Sequence, residues 1–142
     1  MENTRLDFEP FVSDAVSQFL INCVDNHNIA ATGQSAYYPA NFILQSERGE
    51  LLGGLLGQIW GQWLHVKTLW VAEPIRKQGH GSRLLVAAES YATERRCIGS
   101  TLDTHNLEAC RFYQNRGYPI FGTLPEYPPG HAKFFLYKML HE

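Results

Sequence analysis

The segment from residue 63 to residue 104 constrains the fold of this 142-residue chain more than any other part of it. It starts with β-branched and aromatic residues at strand length, WLHVKTLWV, continues with apolar residues at helical spacing, SRLLVAAESYATERR, and ends with a second strand, IGSTLDT. A strand, a helix and a strand in this order require a crossover that makes the two strands parallel. The chain is therefore predicted to contain a parallel pair in the middle of an α/β sheet.

The remaining segments predict an antiparallel first half for the same sheet. Strands are expected in NFILQS and LLGGLLGQIW, and Gly61-Gln62 fits a two-residue hairpin into the next strand. Apolar spacing predicts a first helix from about Pro10 to Asn26, and a later helix is expected in NLEACRFYQNRGY with Asn106 as N-cap. Short strands are expected in TRLDF, PIFGTL and KFFLYKML, and residues 27–40 indicate an irregular connection or a short second helix. The predicted fold class is α/β, with a mixed central sheet flanked by helices.

The connection between the central strand and its helix, AEPIRKQGHG, has the composition of an anion-binding loop. Pro74 ends the strand, while Gly79 and Gly81 allow positive φ angles and remove Cβ atoms that would block a ligand. The first amides of the following helix have no helical acceptor, and the basic Arg76 and Lys77 lie beside them. These features suit a phosphate group, although an ordinary strand-to-helix connection has the same composition. The spacing excludes a Walker A loop and a G-x-G-x-x-G fingerprint.

Composition and charge argue against several other classes of protein. With 12 basic and 14 acidic residues the net charge is −2, and without a basic run the chain is not expected to bind nucleic acid. Three cysteines in apolar patterns indicate buried thiols in a reducing cytoplasm, and the histidines lack metal-ligand spacing. Neither a secretion signal nor a membrane-spanning run is present, so we expect a cytoplasmic protein with no membrane partner, built as a single domain over residues 1–142.

Two motifs in this order of elements resemble those of the GNAT superfamily of acyl-CoA N-acyltransferases. The first, [Q/R]-x-x-G-x-[G/A], is present as Arg76, Gly79 and Gly81. The second is a helix signature, present as Asn106, Ala109, Tyr113 and Gly117. The resemblance covers nearly the whole chain. It implies a GNAT-like sheet whose parallel middle strands are splayed apart, and it implies acetyl-CoA as the acyl donor.

The resemblance also assigns residues to the binding of coenzyme A. It implies that loop amides hold the pyrophosphate, with Arg76 assisting by charge. These amides belong to Lys77, Gln78, Gly79, His80, Gly81 and Ser82. It implies that unpaired backbone groups of the preceding strand hold the pantetheine arm, and these belong to Leu69, Trp70 and Val71. Asn106 and Tyr113 of the later helix complete the implied coenzyme site.

Transfer to an amine requires groups that accept and donate protons. A primary amine has a pKa of about 10.4 and must lose a proton before it attacks a thioester. His65 and Asp103, on the two predicted central strands, are the candidate bases, and a structural strand histidine is the alternative for His65. The Val71 or Trp70 amide is the candidate donor to the developing oxyanion. The resemblance makes Tyr113 the proton donor to the departing thiolate, whereas the helical pattern alone also allows a packing residue.

The expected function is that of a small N-acetyltransferase in which an amine attacks acetyl-CoA directly, without a covalent enzyme intermediate. The acceptor is expected to be a small molecule, with a protein or peptide as the alternative. A non-catalytic acyl-CoA-binding or regulatory module is the rival interpretation. The aromatic and proline clusters at residues 37–39 and 127–129 lie in segments that border the acceptor in this family, although tyrosines also cover core edges. An exposed edge in the last strands allows a homodimer.

Overall fold

The fold is described from a computed structural model, which defines residues 2–140. Within this range the helices are α1 Asp14–Thr32, α2 His80–Glu94 and α3 Leu107–Asn115, with a 3₁₀ turn at Glu73–Ile75. The strands are β1 Tyr37–Pro39, β2 Phe42–Gln45, β3 Leu51–Trp60, β4 Trp63–Val71, β5 Gly99–Thr104, β6 Ile120–Pro125 and β7 Ala132–Met139. None of the helices in this part of the chain is long and apolar enough to cross a membrane.

The chain divides into two compact units, one ending at Ser35 and one beginning at Ala36. The single domain expected over residues 1–142 stays a prediction.

The first unit consists of an irregular segment and α1. The Ser13 hydroxyl caps the helix by accepting a hydrogen bond from a first-turn amide at 3.2 Å. Gly33, with φ +73°, ends the helix in a left-handed conformation and donates its N–H to a carbonyl of the last turn at 2.7 Å. The predicted bounds, Pro10 and Asn26, are therefore wrong at both ends, because these caps and not the apolar period set the limits of the helix.

Two further expectations for this region need correction. The TRLDF segment is not a strand, since no strand within residues 2–35 offers it a hydrogen-bond ladder. Residues 27–40 contain no second helix. Their first part continues α1 through the good helix formers Ala30 and Ala31, and Tyr37–Pro39 instead forms β1, which pairs with the end of β3.

The second unit is built on a mixed sheet in the order β1-β3-β4-β5-β7-β6, with β2 following β1 along the same edge of β3. All the pairings that the structure describes are antiparallel except β4–β5, which is parallel. The predicted fold class is confirmed. The predicted hairpin between β3 and β4 is also present, with φ near +60° at both Gly61 and Gln62, as a two-residue turn of this kind requires.

The parallel pair β4–β5 comes apart after three residues. Residues 63–65 pair with residues 99–101, and the remaining parts of the two strands share no ladder. The register between β3 and β4 is also interrupted, because Lys67 is an extra residue on the β4 side. In a regular strand, Leu69 and Val71 would lie on the same face as His65, away from the core. Because of the bulge they lie on the other face and pack against the same core as Leu64.

The core of the second unit lies between the sheet and helices α2 and α3. α2 packs against β2, β3 and β4, and α3 packs against β5. Leucines from both strands and helix are almost completely buried there, and each contributes roughly 1.5–3 kcal/mol through burial. These leucines are Leu55, Leu64, Leu85, Leu102 and Leu136. Because side chains alternate along a strand, the odd-numbered residues at the start of β4 and along β5 lie on the opposite face of the sheet.

Candidate active site

A cleft of about 600 Å³ opens where β4 and β5 diverge, bounded by the end of β4, the loop before α2 and the inward face of α3. This volume is within the usual range of small-molecule sites. Of the residues predicted to bind coenzyme A, all except Gln78 line this cleft. They are Leu69, Trp70, Val71, Arg76, Lys77, Gly79, His80, Gly81, Ser82, Asn106 and Tyr113.

The chain reverses direction immediately before α2. Gly79 is the N-cap of the helix with φ +88°, and Lys77 also has a positive φ of +62°. The positive φ predicted for Gly81 is wrong, because Gly81 already lies within the helix. Its missing side chain has a different consequence, since an added Cβ would lie 3.4 Å from the Phe112 ring. At Gly79, by contrast, an added Cβ would meet no atom within 4 Å, so the glycine leaves open space at the start of the helix.

The amino terminus of α2 is an anion-binding arrangement. The first intrahelical bond of α2 runs from the Arg83 amide to the Gly79 carbonyl, at 3.0 Å. The amides before it, which belong to His80, Gly81 and Ser82, therefore have no helical acceptor. They are also at the positive end of the helix dipole. Free N–H groups and the dipole both favour a negatively charged group such as a phosphate.

Arg76 has a structural contact that its sequence position does not reveal. Its Nε donates a hydrogen bond to the carbonyl of Val71 at 2.7 Å. This bond closes the loop onto the last residue of β4. The side chain that was predicted to assist phosphate binding by charge therefore also holds the loop in place.

The end of β4 is hydrogen-bonded on one side only. On one side, β4 pairs with β3 through Leu69, Trp70 and Val71. On the other side, β4 shares no ladder with β5 beyond His65. Unpaired strand groups beside a cleft can pair with an extended ligand that carries amides, in the way that a peptide adds to a sheet edge.

Tyr113 projects from α3 and is 7% exposed. The helix is capped by Asn106, whose Oδ1 accepts a hydrogen bond from the Ala109 amide at 3.1 Å, as the sequence predicted. Burial raises the pKa of Tyr113 to about 12. Its phenol is therefore protonated at neutral pH and can act as a hydrogen-bond or proton donor.

The two candidate bases do not line the cleft. His65 pairs in register with Thr101, and Asp103 lies two residues further along the same face of β5. Burial lowers the pKa of His65 below 6.5; the Asp103 carboxylate opposes this shift and the Lys67 ammonium adds to it. Neutral imidazole, the form that accepts a proton, therefore predominates near pH 7. The Asp103 carboxylate instead forms an ion pair with Lys133, with Nζ and Oδ1 separated by 3.4 Å.

The sequence interpretation did not assign several residues that line the cleft. They are Ile75, Glu108, Ala109, Phe112 and Arg116. For Ala109, Phe112 and Arg116 a signal was present, because positions 109, 112, 113 and 116 recur at helical spacing on the face that carries Tyr113. For Ile75 there was no such signal, because its place in the cleft depends on the 3₁₀ turn after β4.

With the fold and the cleft described, comparison with known proteins identifies the family. The chain matches the acetyltransferase (GNAT) family over residues 6–118 and belongs to that family. It is an acetyltransferase, and the resemblance predicted from the two motifs is confirmed.

Similar proteins and structures agree with this assignment. The chain is 48% identical over 95 residues to a blasticidin-S acetyltransferase of Streptomyces morookaense, an alignment that covers 66% of this chain and 70% of the relative. It is 34% identical over 112 residues to an acetyltransferase of Agrobacterium fabrum, covering 79% and 82% of the two chains. The fold is similar to a crystal structure described as that of an acetyltransferase from Agrobacterium tumefaciens, with a TM-score of 0.91, 28% identity and coverage of 96% and 99%.

The open space at Gly79 generates a prediction for coenzyme A binding. Gly79→Val would place a branched side chain at the start of α2, so we expect coenzyme A affinity, measured by calorimetry, to fall by at least about tenfold. Gly49→Val is a matched control, because Gly49 has a similar φ of +84° and equally open surroundings but lies outside the cleft. Both variants should lose about 1–3 kcal/mol of stability from backbone strain. Unchanged affinity in folded Gly79→Val would place the phosphate site elsewhere.

Proposed function

We propose that this acetyltransferase takes the acetyl group from acetyl-CoA and passes it to an amine of a small molecule, which attacks the thioester directly. The observation that carries the proposal is the divergence of β4 and β5. It brings an amide-rich helix terminus, an unpaired strand edge and a buried phenol to one cleft.

The groups around the cleft suit the different parts of coenzyme A. The amides at the start of α2, with the nearby Lys77, suit the pyrophosphate. The edge of β4 from Leu69 to Val71 has no strand partner on the cleft side, and only its Val71 carbonyl is bonded to Arg76. This edge suits the amides of the pantetheine arm, because the two can pair as neighbouring strands do. Phe112 and Ala109 supply an apolar wall on the α3 side. When bound, acetyl-CoA supplies an activated acyl group as a thioester.

The proposed proton transfers occur on opposite faces of the sheet. His65, with its lowered pKa, accepts the proton of the attacking amine from one face. A backbone amide of Trp70 or Val71 stabilises negative charge on the thioester oxygen. Tyr113, on the helix-covered face, donates a proton to the departing sulfur. In this mechanism both groups reach the same carbonyl carbon through the gap between β4 and β5, which opens beyond the His65–Thr101 pair.

A small-molecule acceptor is supported by a relative and by the surroundings of β5. The relative at 48% identity is a blasticidin-S acetyltransferase, which makes blasticidin S the first acceptor to test. The connection between β6 and β7 is held at the end of β5, because His105 Nδ1 donates to the Tyr127 carbonyl at 2.9 Å and their rings lie 4.9 Å apart. The loop that carries Tyr127 is therefore held beside the end of β5, in a segment that the family resemblance places at the border of the acceptor.

The last strands support a homodimer as part of the proposal. Among the strands that the structure describes, β6 pairs only with β7 and forms the edge of the sheet. Apolar side chains are exposed along it, namely Ile120, Phe121 and Leu124. An edge with exposed apolar residues is suited to pairing with a second copy. Cytoplasmic localisation stays a prediction from the sequence.

An acceptor panel tests the proposed function. The protein is mixed with acetyl-CoA and either blasticidin S, simple primary amines or a lysine-containing peptide, and release of free thiol is followed with a chromogenic disulfide. We expect acetyl-CoA-dependent thiol release with at least one small amine and little with the peptide. Saturable binding of coenzyme A with no thiol release for any acceptor would contradict the proposal and favour the non-catalytic binding module. Release with the peptide alone would contradict the small-molecule acceptor.

Replacing Tyr113 by phenylalanine separates proton donation from packing. The ring stays in place and only the hydroxyl is lost, so we expect kcat to fall by roughly 10²- to 10⁴-fold, with coenzyme A affinity changed by less than about threefold. The control is Tyr91→Phe on α2, outside the cleft. Parental kcat in Tyr113→Phe, with chemistry rate-limiting, would show that the residue serves in packing alone.

The pH dependence of kcat/KM tests His65 as the base. Because burial lowers the pKa of His65, activity should be lost only as the pH falls below 6.5, where the imidazole becomes protonated. His65→Gln should remove this acid limb together with most of the activity. Asp103→Asn should move the limb to still lower pH, because the carboxylate that raises the pKa of His65 is gone. If the limb persists unchanged in both variants, neither residue is the titrating base.

A further inference from the structure

A buried polar network lies directly behind Tyr113. The Tyr118 side chain is completely buried, and its hydroxyl lies 2.7 Å from Glu89 Oε2 and 2.9 Å from Ser100 Oγ. Lys138 Nζ donates to the other oxygen of Glu89 at 3.0 Å. Because a phenol has a single proton, the Tyr118 hydroxyl donates to one of its partners and accepts from the other when both bonds form.

This network joins the elements that form the cleft. Glu89 lies on α2, whose amino terminus is the anion site, while Ser100 lies on β5 within its short pairing with β4. Lys138 lies on β7, and Tyr118 follows α3 directly. The network therefore links both helices of the cleft to the sheet at the level where β4 and β5 begin to diverge.

Tyr118 also contacts Tyr113 itself. Its backbone N–H donates to the Tyr113 carbonyl at 3.0 Å, and the two rings meet edge to face with centroids 6.0 Å apart. The Tyr113 ring also meets the Phe112 ring edge to face, at a centroid distance of 5.3 Å. The position of the Tyr113 ring therefore depends on where the Tyr118 ring is held.

We propose that the Tyr118 hydroxyl is a positioning group for the reaction, which holds the Tyr113 phenol at a set distance from the coenzyme site through its bonds to Glu89 and Ser100. This inference rests on the proposed function. A phenylalanine at position 118 would fill the same space without a buried hydroxyl. A buried hydroxyl is unfavourable unless it is fully hydrogen-bonded, as the Tyr118 hydroxyl is through Glu89 and Ser100. Packing alone therefore does not account for a tyrosine at this position.

A double-mutant cycle tests whether Tyr118 acts through Tyr113. We expect Tyr118→Phe to lower kcat by roughly 10- to 100-fold, since a misplacement of about 1 Å can cost about 100-fold, with little change in coenzyme A affinity. In the Tyr113→Phe background the same substitution should change kcat by less than about twofold, because the donor is already absent. An equal fold loss in both backgrounds, or unchanged kcat in Tyr118→Phe, would overturn the proposal. Tyr91→Phe on α2 is the control.

A spectroscopic readout keeps this test independent of acetyl transfer. In protein labelled with 3-fluorotyrosine, the fluorine signal of Tyr113 is the one that disappears in Tyr113→Phe. We expect one narrow signal in the parent and a broadened or doubled signal in Tyr118→Phe, because the ring samples more than one position. A single narrow signal in Tyr118→Phe contradicts the inference, even where no acceptor is acetylated and the proposed function itself has failed. Ser100→Ala, which removes one partner of the hydroxyl, should give the same pattern more weakly and replaces Tyr118→Phe if that variant does not fold.

Discussion

The divergence of the parallel strands β4 and β5 is the constraint on which the rest of the structure depends. Strands that pair over residues 63–65 and 99–101 and then separate lose hydrogen bonds in the middle of a sheet, where a buried unpaired group costs about 1–3 kcal/mol. The fold tolerates this because each strand keeps its other neighbour. β4 remains paired with β3 as far as Val71, and β5 remains paired with β7 as far as Thr104. The unpaired groups face a cleft, where water or a ligand can satisfy them.

The backbone contributes to the electrostatics of the cleft beside the basic side chains Arg76, Lys77 and Arg116 that line it. The chain carries a net charge of −2, so a general excess of basic side chains does not attract an anionic ligand. The amides and dipole at the start of α2 and the neighbouring Arg76 and Lys77 supply a local positive potential. The left-handed conformation of Gly79 and the bond from Arg76 to the Val71 carbonyl hold these amides next to the end of β4. The phosphate site that we propose would therefore be formed before a ligand arrives.

The sheet also separates two titratable groups that are neutral near pH 7, a state that burial favours for both. His65, on one face, has a lowered pKa and is available as a proton acceptor, whereas Tyr113, on the other, has a raised pKa and keeps its proton. Both shifts have burial as their main cause, yet they move in opposite directions because the charged form is the acid in histidine and the base in tyrosine. In the proposed mechanism His65 is thus the proton acceptor and Tyr113 the proton donor, and the substrate spans the gap between the strands.

The sequence by itself determined the features that arise from neighbouring residues. These include the parallel crossover, the hairpin at Gly61-Gln62, the loop before α2 and the Asn106 cap of α3, because periodicity, turn chemistry and capping act over a few residues. Only the tertiary structure decided that residues 4–8 are not a strand and that Gln78 does not line the cleft, since both depend on which chain segments lie alongside.

Tertiary structure likewise decided how the chemistry is arranged. The bulge at Lys67 turns Leu69 and Val71 towards the core, and the start of β4 leaves His65 on the face opposite Tyr113. The contacts of Asp103 with Lys133 and of Tyr118 with Glu89 join residues far apart in the chain. Local propensity contains no information about such pairs, because they form only when strand pairing and helix packing bring distant segments of the chain together.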